Sequence, residues 1–134
     1  MFDFSKINYL AVLVAAIAAY FLGTLWYSGL MFGKPWRRAL GKTKQELTSP
    51  TVPMLLGFVC IFITALGLAL ILTAMRKVTL LSGISVGAIV AVAFVAANMF
   101  SDYLYSSWSL RLYLIQAGYR MISIIIMGAI IGAW

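Results

Sequence analysis

Four long apolar runs, at about residues 7–30, 52–75, 79–103 and 110–133, constrain this chain more than any other feature. A helix needs about 20 apolar residues to cross a bilayer's hydrocarbon, and each run is long enough. Lipid offers the backbone no hydrogen-bond partners, so runs of this kind are expected to be helical. The breaks between them are well marked. Gly33-Lys34-Pro35 closes the first, Ser49-Pro50 and Pro53 open the second, Arg76-Lys77 parts the second from the third, and Ser106-Ser107-Trp108-Ser109 turns the third into the fourth. Composition agrees. The chain is 64% apolar and 10% charged, against roughly 45–50% and about 25% for soluble domains. The expected fold class is therefore all-α: a single membrane domain, residues 1–134, built as a four-transmembrane-helix bundle. The first run is too long for the core of a signal peptide, and Tyr27-Ser28-Gly29 makes a poor cleavage site, so it is read as a retained helix.

The segment 31–51 alone has room for structure between the runs. Pro35 suits the first turn of a short helix through Leu40, with Gly41 closing it. Thr43-Lys44-Gln45-Glu46 has the spacing of a capping box. Trp36, Leu40 and Leu47 among basic residues fit a segment lying on the membrane surface, and an unstructured basic linker is the alternative. The segment holds Lys34, Arg37, Arg38, Lys42 and Lys44, half of the ten basic residues. With three acids in all, the net charge is +7. Anionic headgroups and the bias of cytoplasmic loops toward Lys and Arg explain this cluster, and no motif of a nucleic-acid reader accompanies it. Counting Lys and Arg by side, the first and third connections carry six and the other side carries Lys6, Arg76 and Lys77. That places the loop 31–51 in the cytoplasm and both termini outside, in a multi-pass membrane protein. Trp26, Tyr27, Trp36, Tyr103, Tyr105, Trp108 and Tyr113 gather at one interface, as an aromatic belt does.

Small residues recur every fourth position, which lets helix backbones approach in lipid. The rows are Ala11, Ala15, Ala19 and Gly23; Ala65, Ala69 and Thr73; Gly83, Gly87 and Ala91; Ala93, Ala97 and Ser101; and Gly128 with Gly132. Two rows on the third helix imply two neighbours, and a surplus face would serve a homo-oligomer. Leu25-Trp26-Tyr27-Ser28 and Leu104-Tyr105-Ser106-Ser107 are faintly alike, as in a duplicated hairpin; aromatic-rich helix ends also match this far by chance.

Catalytic means are sparse. Asp3, Glu46 and Asp102 are scattered, histidine is absent, and no nucleophile or phosphate-loop motif occurs. The expectation is no enzyme, no cofactor and no metal site. Cys60, the only cysteine, is expected to be a small buried apolar residue. Polar groups inside the spans carry more meaning, because they are costly there. Folding the third and fourth runs about Ser107 sets Asp102 level with Arg111, and Asn98 with Gln116. These read as a structural ion pair and an interhelical hydrogen bond. Arg120 comes to lie near the bilayer midplane, one turn from Gln116 and Tyr113 on the same face. No acid lies level with it; Tyr20 and Thr24 on the first helix are candidate neighbours. Snorkelling, a ring of carbonyls and hydroxyls, a neighbouring subunit, or an anionic ligand would each offset its cost. Arg120, Gln116, Asn98 and Tyr20 are therefore the candidate ligand or ion residues.

Three stretches resemble a known family: Ile7-Asn8-Tyr9-Leu10-Ala11; Leu25-Trp26-Tyr27-Ser28 followed by Phe32-Gly33-Lys34-Pro35-Trp36; and Gly118-Tyr119 through Met127-Gly128-Ala129-Ile130. They look like the bacterial membrane family called domain of unknown function 1761, over essentially the whole chain. The resemblance implies a small bacterial four-helix membrane protein, expected in the cytoplasmic (inner) membrane, and supplies no activity. Two functional expectations follow from the residues. The first is a non-enzymatic, oligomeric helical bundle that binds or passes a small solute or lipid, with the bilayer and a lipid or small anionic ligand as partners. The second is an accessory or scaffold subunit docking a partner through the basic segment 34–44.

Overall fold

The computed structural model describes residues 2–40 and 51–134, and these form helices and turns with no strand. Four helices are long and apolar enough to cross a membrane: Tyr9–Trp26, Val52–Ala74, Leu80–Tyr105 and Leu110–Ala133. They correspond to the four expected runs.

Local chemistry sets their ends. After a short 3-10 turn at Phe4–Lys6, the Asn8 side chain accepts from Ala11 N and starts α1 (Tyr9–Trp26). Such a cap satisfies one of the free N–H groups of a first helical turn. α1 stops four residues before the expected end at residue 30. The chain turns there because Ser28 Oγ bonds the Leu25 carbonyl, and the Phe32 and Gly33 amides return to Trp26 and Ser28. This turn requires glycine at position 33, since a Cβ would lie 2.5 Å from Tyr27 O and 2.7 Å from Ser28 O. α2 (Gly33–Leu40) follows, so the short helix expected around Pro35 forms. The second turn expected at 43–46, with Lys42 and Lys44, lies outside the described residues.

α3 (Thr51–Ala74) tolerates Pro53 in its first turn, where no intrahelical donor is needed. Arg76 takes a left-handed conformation (φ 57°) and ends that hairpin arm. Thr79 and Ser82 form a reciprocal capping box for α4 (Leu80–Ile89). The third span then changes pitch. Val90–Ala96 is wound as a π-helix before α5 (Ala97–Tyr105) resumes ordinary geometry. Two carbonyls in this wider stretch take side-chain donors: Asn98 Nδ2 donates to Phe94 O, and Tyr113 Oη donates to Ala96 O. Ser107, at φ 55°, closes the turn, and the Ser109 side chain caps α6 (Leu110–Ala133).

α6 is the centre of the packing. α4 runs antiparallel to it in backbone contact, Gly83 against Gly128 and Gly132, and Gly87 against Ile124. The expected alanine rows of α1 and α3 are also inside: Ala11, Ala15 and Ala19 are fully buried, with Ala65 and Ala69 opposite. The other expected row on the third span is not. Ala93, Ala97 and Ser101 are exposed, and α5 buries no residue. The core centres on Val12, Leu68, Leu72 and Met127, the largest fully buried side chains. All four lie in the half of the molecule nearer the two termini. The half nearer α2 holds the groove that Arg120 lines.

Candidate functional site

Arg120 leaves α6 between two adjoining cavities. The larger, about 590 Å³, is a groove between α1, α2, α3 and α6. Its polar lining is Tyr20, Thr24, Tyr27, Trp36, Tyr119 and Arg120; Gly23, Pro53, Met54, Gly57 and Ile61 complete the wall. The smaller, about 100 Å³, contains Thr64, Val95, Ser123 and Met127, and shares Ile61 and Arg120 with the groove. Arg120 is thus common to both spaces.

Aromatic contacts hold this arrangement. The Arg120 guanidinium carbon stands 5.5 Å from the Tyr119 ring centroid, within cation–π range. Tyr119 meets Tyr27 edge-on at 5.6 Å, and Tyr27 meets Trp36 at 4.9 Å. Tyr119 Oη donates to Ala19 O at 3.0 Å, and Trp26 Nε1 donates to Ile115 O at 3.0 Å, which ties α1 to α6 just above the arginine. Tyr20 packs edge-on against Phe58 at 5.7 Å. Trp36 Nε1 is different: it is buried with no acceptor among the described residues. A buried donor left unpaired costs roughly 1–3 kcal/mol.

Among the described residues, the lining contains donors and hydroxyls but no carboxylate. Tyr27 lies just past the end of the first span. Burial pushes its phenol up to about 12, against a smaller downward pull from Arg120. It therefore stays a neutral donor across the physiological range. Among the described residues, such a lining presents the hydrogen-bond donors from which an oxyanion would accept.

Of the four residues expected at this site, the structure brings Arg120 and Tyr20 together. Asn98 is exposed on α5 and donates to its own helix at Phe94 O, so the expected pairing with Gln116 is not made. Gln116 is half-buried and lines neither cavity. The expected Asp102–Arg111 ion pair is also absent: both side chains are exposed, and no carboxylate among the described residues stands within 4.0 Å of a basic group. Arg111 faces Phe32 and Pro35 beside α2 instead of α5. What joins α5 to α6 near the turn is aromatic, with Tyr113 packed against Phe100 at 5.7 Å and Tyr103 at 5.5 Å. Cys60 is exposed on α3, against the expectation that it is buried. Tyr27, Trp36 and Tyr119 belong to the site although the sequence marks them only as belt aromatics or family-motif residues. Their one sequence signal is that Tyr119 adjoins Arg120 and that Trp36 follows a Gly-x-Pro turn able to fold it back.

These features define an all-helical chain with four helices of membrane-crossing length and composition, and an arginine-bearing groove at one end. No curated protein and no solved structure matches the chain. The chain belongs to the family described as protein of unknown function (DUF1761), whose model matches residues 10–132, in agreement with the resemblance drawn from its motifs.

Proposed function

We propose that this chain is a four-span integral membrane protein that works without catalysis, as an oligomer, and holds a small anionic solute or lipid in the groove at Arg120. The carrying observation is the position of Arg120, at the junction of two cavities whose polar lining consists of donors and hydroxyls. An arginine within a span costs at least ~2.5–3.5 kcal/mol on insertion scales. The Tyr119 face offsets part of that cost, and an anion would offset the rest.

Support for a bilayer comes from side chains such as Phe21, Leu55, Ile63, Leu81, Phe94 and Leu114, which all face outward. Support for an oligomer comes from α5, where Asn98, Ser101 and Asp102 are exposed on a membrane-length helix. Polar groups facing lipid are costly, and a second copy would cover them. Holding fits the geometry better than free passage. Beyond the small chamber, Leu68, Leu72 and Val12 are fully buried in one apolar cluster with Met127. By the count of basic residues, the groove opens toward the cytoplasm.

Native mass spectrometry of the gently solubilised protein tests this, wild type beside Arg120→Leu. The wild type should carry an anionic mass that the variant binds roughly 10–100-fold more weakly, as expected for one charge-assisted contact of ~1.5–3 kcal/mol. Identical spectra for the two proteins would refute the reading.

A further inference from the structure

A second groove, of about 520 Å³, lies between the lead-in to α2 and the first turns of α6. Phe32 and Pro35 form one wall; Leu110, Leu114 and Ile115 form the other; Arg111 is its one charged residue. It shares no lining residue with the Arg120 groove. Arg111 is exposed and has no acidic partner among the described residues.

The chemistry of this groove follows from its order along α6. Arg111 sits in the first turn, where the span begins, and Leu114 and Ile115 lie about one turn deeper. Trp26 reaches that depth too, its indole N–H bonded to Ile115 O. A cation at the rim with an apolar trough below it matches a phospholipid, whose phosphate lies at the interface above its acyl chains. Guanidinium binds phosphate through paired N–H groups with a geometry that lysine lacks. The same end of the molecule carries Lys34, Arg37 and Arg38 on α2, with Asp102 the one described carboxylate there. The local field therefore favours anionic headgroups over zwitterionic ones.

We propose that this groove is a specific site for one anionic phospholipid, with its phosphate on Arg111 and an acyl chain against Leu114 and Ile115. The proposal rests on the membrane reading above and is independent of what occupies the Arg120 groove.

The test uses the full chain reconstituted in nanodiscs of phosphatidylcholine and phosphatidylglycerol in equal parts, then ejected for native mass spectrometry. Wild type should retain phosphatidylglycerol over phosphatidylcholine by roughly tenfold, one charge-assisted contact's worth. Arg111→Gln should abolish that preference, and Leu114→Trp, which fills the trough, should abolish it as well. Lys77→Gln, which removes an exposed charge at the opposite end of the molecule, should leave it intact. Retention of the preference in Arg111→Gln, or its loss in Lys77→Gln, overturns the site. Alkaline extraction of the same protein from vesicles separates the two readings. A chain that stays in the bilayer but shows no lipid preference overturns this site only, whereas a chain that is extracted overturns the membrane reading with it.

Discussion

Replacing glycine by alanine at five positions measures how closely α4 and α6 approach. A Cβ on Gly83 would overlap the Gly128 carbonyl oxygen, and one on Gly128 would overlap the Gly83 carbonyl oxygen. Backbone atoms cannot rotate aside as side chains do, so Gly83→Ala has to part the two helices. A gap of 0.5–1 Å forfeits about a quarter to a half of each dispersion contact along the crossing. Overpacking of this kind costs about 1–3 kcal/mol, occasionally more. At Gly87 the added methyl would lie 3.1 Å from Ile124 O and 3.1 Å from Ile125 Cα, so small shifts accommodate it. Gly57 and Gly67 have nothing within 4 Å of an added Cβ. There alanine brings its helix propensity without a clash, up to ~1 kcal/mol in favour of the variant. The expected order of stability is Gly67→Ala and Gly57→Ala at or above wild type, Gly87→Ala near it, and Gly83→Ala and Gly128→Ala about 1–3 kcal/mol below. Reversible unfolding in mixed micelles, followed by circular dichroism, reads the series. Should Gly83→Ala match Gly67→Ala within ~0.5 kcal/mol, the backbones are not in contact and the packing account of this hairpin fails.

Two tryptophans should respond to the same substitution with opposite signs. Trp26→Phe deletes a bonded indole and should cost about 1 kcal/mol or more, whereas Trp36→Phe deletes a donor with no acceptor among the described residues and should be neutral or stabilising by up to ~1 kcal/mol. Equal losses in the two variants, by the same micellar unfolding, would contradict the assigned bonding. Asp102→Asn should change stability by no more than ~0.5 kcal/mol, since the carboxylate is exposed and unpaired. A loss above ~1 kcal/mol would restore the ion pair with Arg111 that the structure lacks.

The four long helices are legible in the sequence because a helix able to cross a bilayer must be apolar along its length, and apolar length alone answers that requirement. The packed rows are legible for a similar reason: only glycine and alanine let helix backbones meet, so Gly83, Gly87, Gly128 and Gly132 announce the contact they make. The pairing of polar residues is not legible, because it depends on register and face. Val90-Ala91-Val92-Ala93-Phe94-Val95-Ala96 contains no glycine, proline or polar residue to signal a change of pitch. Seven residues in wider turns advance less along the axis than seven in an α-helix. The third span therefore uses more residues to reach a given depth: Gly87 meets Ile124, where a uniform hairpin about Ser107 would bring Val90. Asn98, in the ordinary helix between that stretch and the turn, is exposed. The Arg120 site is half legible, because a lone midplane charge stands out in sequence. The return of α2, which delivers Trp36 to it, rests on hydrogen bonds at Ser28 and Gly33 that no periodicity encodes.

α2 gives the two grooves a common origin. An eight-residue helix cannot cross a membrane, and its apolar face must be covered by something. Here α6 and the end of α1 cover it, so Trp36 enters the Arg120 groove while Phe32 and Pro35 form the wall beside Arg111. Two basic positions of α6, Arg111 and Arg120, are nine residues apart, and each lies in a space that this one short segment helps to enclose. The terminal half needs no such segment, because glycine and alanine rows already bring its helices into contact. Arg111, Arg120 and the segment that helps enclose both therefore occur together on the α2 side. In the proposed reading, an anion or an anionic lipid would enter from the leaflet on that side.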